Sequence, residues 1–229
     1  MRLSRPVVGA AAVLLLGSGL LSGCGVSEEE VRPGVAATVG DDTISLDLID
    51  EVSGPTCEVL RSSPQLLGDG YTGSSLRNTI LVQLVLGSVA DQIAEENGID
   101  GEPIYAKLAD QIRLQLGGVD DADVEEALPV FVSSNYASSV IDAVLSERLG
   151  PDAADSQKQF ESQKLLVEWQ QEHGIETNPL FTTIDFSADA VVNDRQELSV
   201  AVGDDAVAAL TEPQPKASID ALPESQRCT

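Results

Sequence analysis

Basic residues are scarce in this chain of 229 residues. It has 13 Lys and Arg against 38 Asp and Glu, which gives a formal net charge of −25. Proteins that bind nucleic acids neutralise phosphates with Lys and Arg, and anionic lipid surfaces attract the same two residue types. The charge balance therefore argues strongly against DNA, RNA or an anionic lipid surface as a partner.

Aromatic residues are also few. They make up 3% of the chain, with one Trp, whereas 42% of the residues are hydrophobic. This hydrophobic fraction exceeds that of disordered chains, so we expect one folded domain with tails. The core must be aliphatic, built from Leu, Val, Ile and Ala, which is typical of packed helices.

Residue types that form catalytic or metal centres are nearly missing. The only histidine is His173, and no CxxC, CxH or HxxxH spacing occurs, so a zinc or redox site lacks ligands. The acidic run at residues 120–126 lacks the Gly and Glu of a calcium-binding EF-hand loop and is interpreted as a helix cap. The serine pairs lack a nucleophile-elbow motif. We therefore expect no enzymatic activity, no metal and no cofactor.

The N-terminal region has the pattern of a lipoprotein signal peptide. Arg2 and Arg5 precede a mostly apolar, uncharged run of 15 residues at positions 7–21, which is short for a membrane span. Leu21-Ser22-Gly23-Cys24 then resembles a bacterial lipobox. The resemblance implies an acylated Cys24 that anchors the mature chain in the cell membrane on its extracytoplasmic face. The alternative is an ordinary secretory cleavage site followed by a chance cysteine.

Two cysteines, Cys57 and Cys228, remain once Cys24 is assigned to lipid. Disulfides persist outside the cytoplasm, so a bridge between them would be stable there. However, Cys228 lies in a Pro-rich tail, and the sequence does not give the Cα separation that a disulfide requires. The sequence therefore leaves this disulfide open.

Hydrophobic periodicity predicts a helical body preceded by two short strands. We expect strands at residues 35–39 and 43–44, and then a helix that Ser45 caps. The residues Ser53-Gly54-Pro55 are expected to kink or break that helix. Further helices are predicted at residues 75–97, 103–116, 120–128, 129–149 and 152–172, the last with Phe160, Leu165, Leu166 and Trp169 inward.

Beyond Gly174 the pattern changes to strands at residues 175–186 and 197–202. We expect the strand at 35–39 to pair with the strand near residues 198–202, because an isolated hairpin is marginal in water. Along the chain, the sequence predicts a signal peptide at 1–23, a tether at 24–34, a mostly α domain with a small β-sheet (α+β) at 35–203, and a flexible acidic and Pro-rich tail at 204–229.

Three motifs, taken in their order along the chain, resemble the SurA-type N-terminal chaperone domain. The resemblance is closer to the lipoproteins of high-GC Gram-positive bacteria that carry this domain. The motifs are residues 39–51, the helix end Ile93-Ala94-Glu95-Glu96-Asn97-Gly98-Ile99, and residues 175–181. In that family the two chain ends pair into a small sheet, and the helices hold unfolded polypeptide during export. The parvulin prolyl isomerase domain of fuller relatives has paired histidines, so the resemblance does not imply isomerase activity here.

These features together predict a non-enzymatic, membrane-anchored lipoprotein that binds unfolded or exported polypeptides. Its expected partners are those polypeptides and, through the acyl chains, the membrane. The alternative is a structural or solute-binding lipoprotein without chaperone activity, whose acidic surface only keeps it soluble.

Overall fold

Helices dominate the computed structural model, which describes residues 33–150, 152–187 and 215–229. The predicted fold class, mostly α with a small β-sheet, is confirmed. The helices are α1 (Leu46–Ser62), α2 (Pro64–Leu67), α3 (Gly73–Glu96), α4 (Gly101–Gln115), α5 (Asp121–Leu149), α6 (Asp155–His173) and α7 (Lys216–Asp220). The strands are β1 (Val35–Val39), β2 (Asp42–Ser45), β3 (Tyr71–Thr72), β4 (Ile175–Thr177) and β5 (Arg227–Cys228).

Several predictions fall outside the described residues. They are the signal peptide at 1–23, the lipid-bearing Cys24, most of the tether, the strand at 197–202 and the tail between 204 and 214.

The small sheet at the start of the domain has β1 in its centre, with the strand order β2-β1-β4. Val39 pairs with Asp42 on one side and with Ile175 on the other, both antiparallel. Both edges of β1 are thus occupied, and among the described residues the strand that returns to it is β4; the expected partner at residues 198–202 lies outside them. Gly174, at φ 80°, turns the chain directly from α6 into β4, so the first segment after the helix takes the edge.

Two helices contain an internal proline. The sequence predicts that Pro55 interrupts a helix and that Pro129 begins one. Pro55 lies inside α1, and Pro129 lies inside α5, so one long helix replaces the predicted pair at 120–128 and 129–149. An internal proline costs a helix about 3 kcal/mol or more. Burial of the α1 and α5 faces against the rest of the core offsets that cost, because packing supplies most of the stability of helices in proteins.

The core lies where α3 and α5 pack along each other, with α1 and α4 against α5. Ile80 and Val89 of α3 and Val132 and Val140 of α5 are at most 1% exposed. The core is aliphatic, as the composition predicts. Within the described residues, α5 is the one helix with the length and apolar composition to cross a membrane. Twelve of its residues are buried, so packing explains this composition.

The prediction for α6 is wrong for one residue, Phe160. Leu165 and Trp169 are buried as expected, but Phe160 is 68% exposed. It precedes Trp169 by about two and a half helical turns, which places it on the opposite side of the helix. Because α6 buries a single narrow stripe, Phe160 faces outward.

Residues 215–229, which we call the C-terminal strap, fold back onto the helical body. They contain α7, a 3₁₀ turn at Glu224–Gln226, and β5, which pairs antiparallel with β3. Cys228 is disulfide-bonded to Cys57 of α1, with the two Cα atoms 5.6 Å apart. The prediction of a flexible tail is therefore wrong for these residues, because a covalent bond and the buried Ile219 hold them in place.

Candidate functional site

A depression of about 540 Å³, open to solvent, lies between α3, α4 and α5. We call it the acidic cavity. Four carboxylates and two tyrosine rings line it, and none of its lining residues, all of which the structure describes, is Lys or Arg. Its lining consists of Asp91, Ala94, Glu95, Ile99, Asp100, Gly101, Glu102, Tyr105 and Tyr136.

The tight connection between α3 and α4 brings these residues together. Asn97 caps α3, and Gly98 follows in the left-handed conformation at φ 68°, a common way to end a helix. The Ile99 amide then donates to the carbonyl of Ala94 at 2.9 Å. The Asp100 side chain caps α4 by accepting from the Glu102 amide at 3.3 Å. The acidic residues at the end of α3 and the start of α4 thus share one cavity.

Tyr136 forms the floor of the acidic cavity. Its hydroxyl donates to Asp91 Oδ1 at 2.7 Å, and its ring meets that of Tyr105 edge to face, with centroids 5.6 Å apart. A Cβ atom at residue 101 would collide with the Tyr136 hydroxyl. Gly101 therefore leaves the space that the phenol needs to reach Asp91.

The electrostatics of the cavity favour positive charge. Burial, followed by the hydrogen bond to Asp91, raises the pKa of Tyr136, so its phenol remains a neutral donor at physiological pH. Burial also raises the pKa of Tyr105, and the nearby Arg113 guanidinium opposes that rise. Carboxylates beside aromatic rings suit an ammonium or guanidinium group, through charged hydrogen bonds and cation–π contacts.

A second, apolar cavity of about 180 Å³ also borders the α3–α5 pair, and Leu166 of α6 closes part of it. We call it the apolar groove. Val89 and Ile93 form its base, and Ser134 and Ser138 lie at its exposed rim. An aliphatic side chain fits such a groove, whereas a charged group would lose its hydration there without compensation.

The residues singled out from sequence have structural partners elsewhere. His173 lies 2.9 Å from Glu96 through Nε2 and stacks on Trp169 with ring centroids 4.7 Å apart, which agrees with a helix-end role. Asp120 caps α5 by accepting from the Ala122 amide at 2.9 Å, as predicted. Among the described residues, no group of three or more His, Cys, Asp or Glu side chains is arranged to hold a metal ion.

Sequence reasoning missed the acidic cavity. The sequence patterns give no functional role to Asp91, Tyr105 or Tyr136. A signal was present, because a tyrosine on a buried helix face needs a partner for its hydroxyl. Its partner lies 45 residues earlier in the chain, on a different helix, so spacing alone could not identify it.

Comparison with known proteins gives no significant match to any protein-family model, curated protein or solved structure. The function of this chain is therefore inferred from its own residues and their geometry.

Tyr136→Phe tests the Tyr136–Asp91 bond. A raised phenol pKa in the folded state gives stability that is present below pH 10, the approximate pKa of an unfolded tyrosine, and is lost as the pH rises above it. We expect the free energy of unfolding of the variant to be about 1 kcal/mol lower at neutral pH, because this hydrogen bond is lost. Its stability should also fall less steeply between pH 10 and 12. Urea unfolding across pH, with tyrosinate absorbance, measures both effects. Tyr105→Phe keeps the Tyr136–Asp91 hydrogen bond and is the control for the loss at neutral pH. Identical alkaline behaviour of wild type and Tyr136→Phe would contradict the assignment.

Proposed function

We propose that this protein is a lipid-anchored, extracytoplasmic binder of unfolded or exported polypeptides, with a chaperone-like and non-enzymatic role. The observation that carries the proposal is the pair of cavities beside α3 and α5, one acidic and aromatic, the other apolar. Together they suit basic and aliphatic side chains, both of which an unfolded chain exposes. A binder of many sequences needs this mixed chemistry more than one deep pocket.

Charge supports the same proposal at longer range. The net charge of −25 keeps copies of the protein apart through mutual repulsion, which protects a protein that exposes apolar surface from aggregating with itself. The same field attracts basic segments and speeds their encounter with the acidic cavity. Removal of residues 1–23 would take away Arg2 and Arg5 and no acidic residue, so the mature chain is more negative still.

The extracytoplasmic location has two independent supports. The segment Leu21-Ser22-Gly23-Cys24 follows an apolar run, as in lipoproteins with an acylated cysteine. The Cys57–Cys228 disulfide is buried, with the two residues 8% and 1% exposed. Structural disulfides belong to oxidising compartments and are rare in the reducing cytoplasm.

A solute-binding lipoprotein is the competing proposal, and the acidic cavity is the observation that favours it. Its volume of about 540 Å³ would also admit a small organic cation. The two proposals differ in the apolar groove, because a small cation has no use for it. An unfolded polypeptide engages both cavities.

Neutralising the acidic cavity tests polypeptide binding. The variant is Asp91→Asn with Glu95→Gln in the soluble form, residues 25–229, and the client is an unfolded basic protein. We expect wild type to delay aggregation of the client and the variant to bind it on the order of 5-fold more weakly, because two charge contacts are lost. Light scattering and binding kinetics at low and high salt measure the effects, and high salt should slow association with wild type.

The matched control is Glu147→Gln with Glu172→Gln, which removes the same charge at exposed positions of α5 and α6 outside either cavity. The control should behave as wild type. Equal loss in both variants would assign the effect to net charge rather than to the cavity. If wild type neither delays aggregation nor binds the client, the chaperone-like proposal fails, and tight binding of a small cation alone would favour the solute-binding alternative.

Cys24→Ala tests the anchor. Acyl chains on Cys24 are expected to hold the protein in the membrane, since each buried CH₂ contributes about 0.8 kcal/mol. The variant should lack acyl groups in mass spectra of its N-terminal peptide, and its processed form should appear in the soluble fraction. Ser27→Ala, three residues further on, is the control and should remain acylated and membrane-bound. Processed Cys24→Ala protein that stays in the membrane fraction would contradict the lipobox interpretation.

A further inference from the structure

The C-terminal strap makes few non-covalent contacts with the body. Its ladder with β3 is two residues long, pairing Tyr71 with Cys228 and Thr72 with Arg227. Among residues 215–227 of the strap, Ile219 is the one fully buried hydrophobic side chain. Arg61 Nε adds a hydrogen bond to the Thr229 carbonyl at 3.0 Å. The stabilisation from a two-residue ladder and one buried apolar side chain is small compared with the backbone entropy that the strap loses when it becomes ordered.

The surface beneath the strap joins the end of α1 to the start of α3. Cys57 lies in α1, while Thr72 caps α3 by accepting from the Ser75 amide at 3.1 Å. Cys228 belongs to the same buried cluster as Leu60 and Leu76, one from each helix. The strap therefore covers apolar surface at this junction as well as pairing with β3.

The disulfide connects positions 171 residues apart. A bond between such distant residues removes more freedom from an open chain than a short-range crosslink does, and the difference grows with the logarithm of the loop length. Without it, the strap would have to find and hold its place through the few contacts above. With it, Cys228 is held permanently beside Cys57, and the β3–β5 pairing becomes a local event.

We propose that the Cys57–Cys228 bond is an oxidation-dependent latch: the strap docks only after oxidation, and the reduced protein keeps a folded body whose α1–α3 junction is uncovered. The latch acts independently of polypeptide binding in the acidic cavity. It delays completion of the fold until the chain has reached an oxidising compartment, because residue 228 must be present and oxidised before the strap closes.

Closure is a thiol–disulfide exchange with a disulfide oxidant, RSSR. The thiolate of one cysteine attacks RSSR, which forms a mixed disulfide and releases one RS⁻. The thiolate of the second cysteine then attacks the protein sulfur of that mixed disulfide, forming the Cys57–Cys228 bond and releasing the second RS⁻. Two electrons pass to the oxidant, and the two thiol protons end on the two RSH products.

Amide hydrogen exchange on the soluble form tests the latch. The samples are oxidised wild type, wild type reduced with its thiols alkylated, and Cys57→Ser with Cys228→Ser. In the last two, peptides covering residues 216–229 and 70–75 should exchange at least about 10-fold faster, as expected for local opening. Peptides from the α3 core, residues 80–93, should be unchanged. Reduced wild type treated with oxidised glutathione instead of alkylation should regain protection of the strap.

Ile219→Ala in the oxidised protein is the matched control. It removes the apolar anchor and leaves the disulfide, so β5 should stay protected if the covalent bond dominates. Two results would overturn the proposal. A strap that remains protected in the double serine variant would show that non-covalent contacts hold it, and loss of protection in the α3 core as well would show that the bond supports the whole fold rather than the strap alone.

Discussion

The packing of α3 against α5 is the contact on which the rest of the structure depends. These are the two longest helices of the described chain, at 24 and 29 residues. Their interface is aliphatic, and at one point Gly87 faces Ser133 so closely that a Cβ at residue 87 would lie 2.9 Å from the serine Oγ. Small side chains there let the two helices approach. Both cavities border this helix pair, so their shape is set by the same contact that provides most of the core.

Much of the fold could be predicted because its signals are local. Ser45 caps α1, Gly98 follows the end of α3, and the aliphatic positions of both long helices repeat at helical spacing. Where the prediction was wrong, a contact between distant residues had decided the structure. Pro55 and Pro129 remain inside helices because burial of the remaining face outweighs a lost hydrogen bond. Phe160 is exposed because its helix has only one contact stripe, which its own sequence does not reveal.

The candidate site was harder to predict than the fold for the same reason. Most of its lining lies between Asp91 and Tyr105, around the α3–α4 connection, but Tyr136, which completes it, belongs to α5 and is far from that stretch in sequence. The disulfide could be predicted in part. The sequence identified Cys57 and Cys228 as the two available cysteines, but only the folded chain places their Cα atoms 5.6 Å apart. The strap that Cys228 holds then becomes ordered, although its composition is typical of a mobile tail.

The protein combines a negative net charge, two cavities of different chemistry and a disulfide suited to an oxidising compartment. Site-specific photo-crosslinking to an unfolded basic client tests the central claim most directly, because the claim concerns where the client binds. A photoreactive residue would replace Glu102 at the acidic cavity or Ser138 at the rim of the apolar groove, and Leu114 or Glu172 as exposed controls. The account predicts strong client crosslinks at the first two positions and weak ones at the controls. Equal crosslinking at all four positions, or crosslinks confined to the controls, would contradict it.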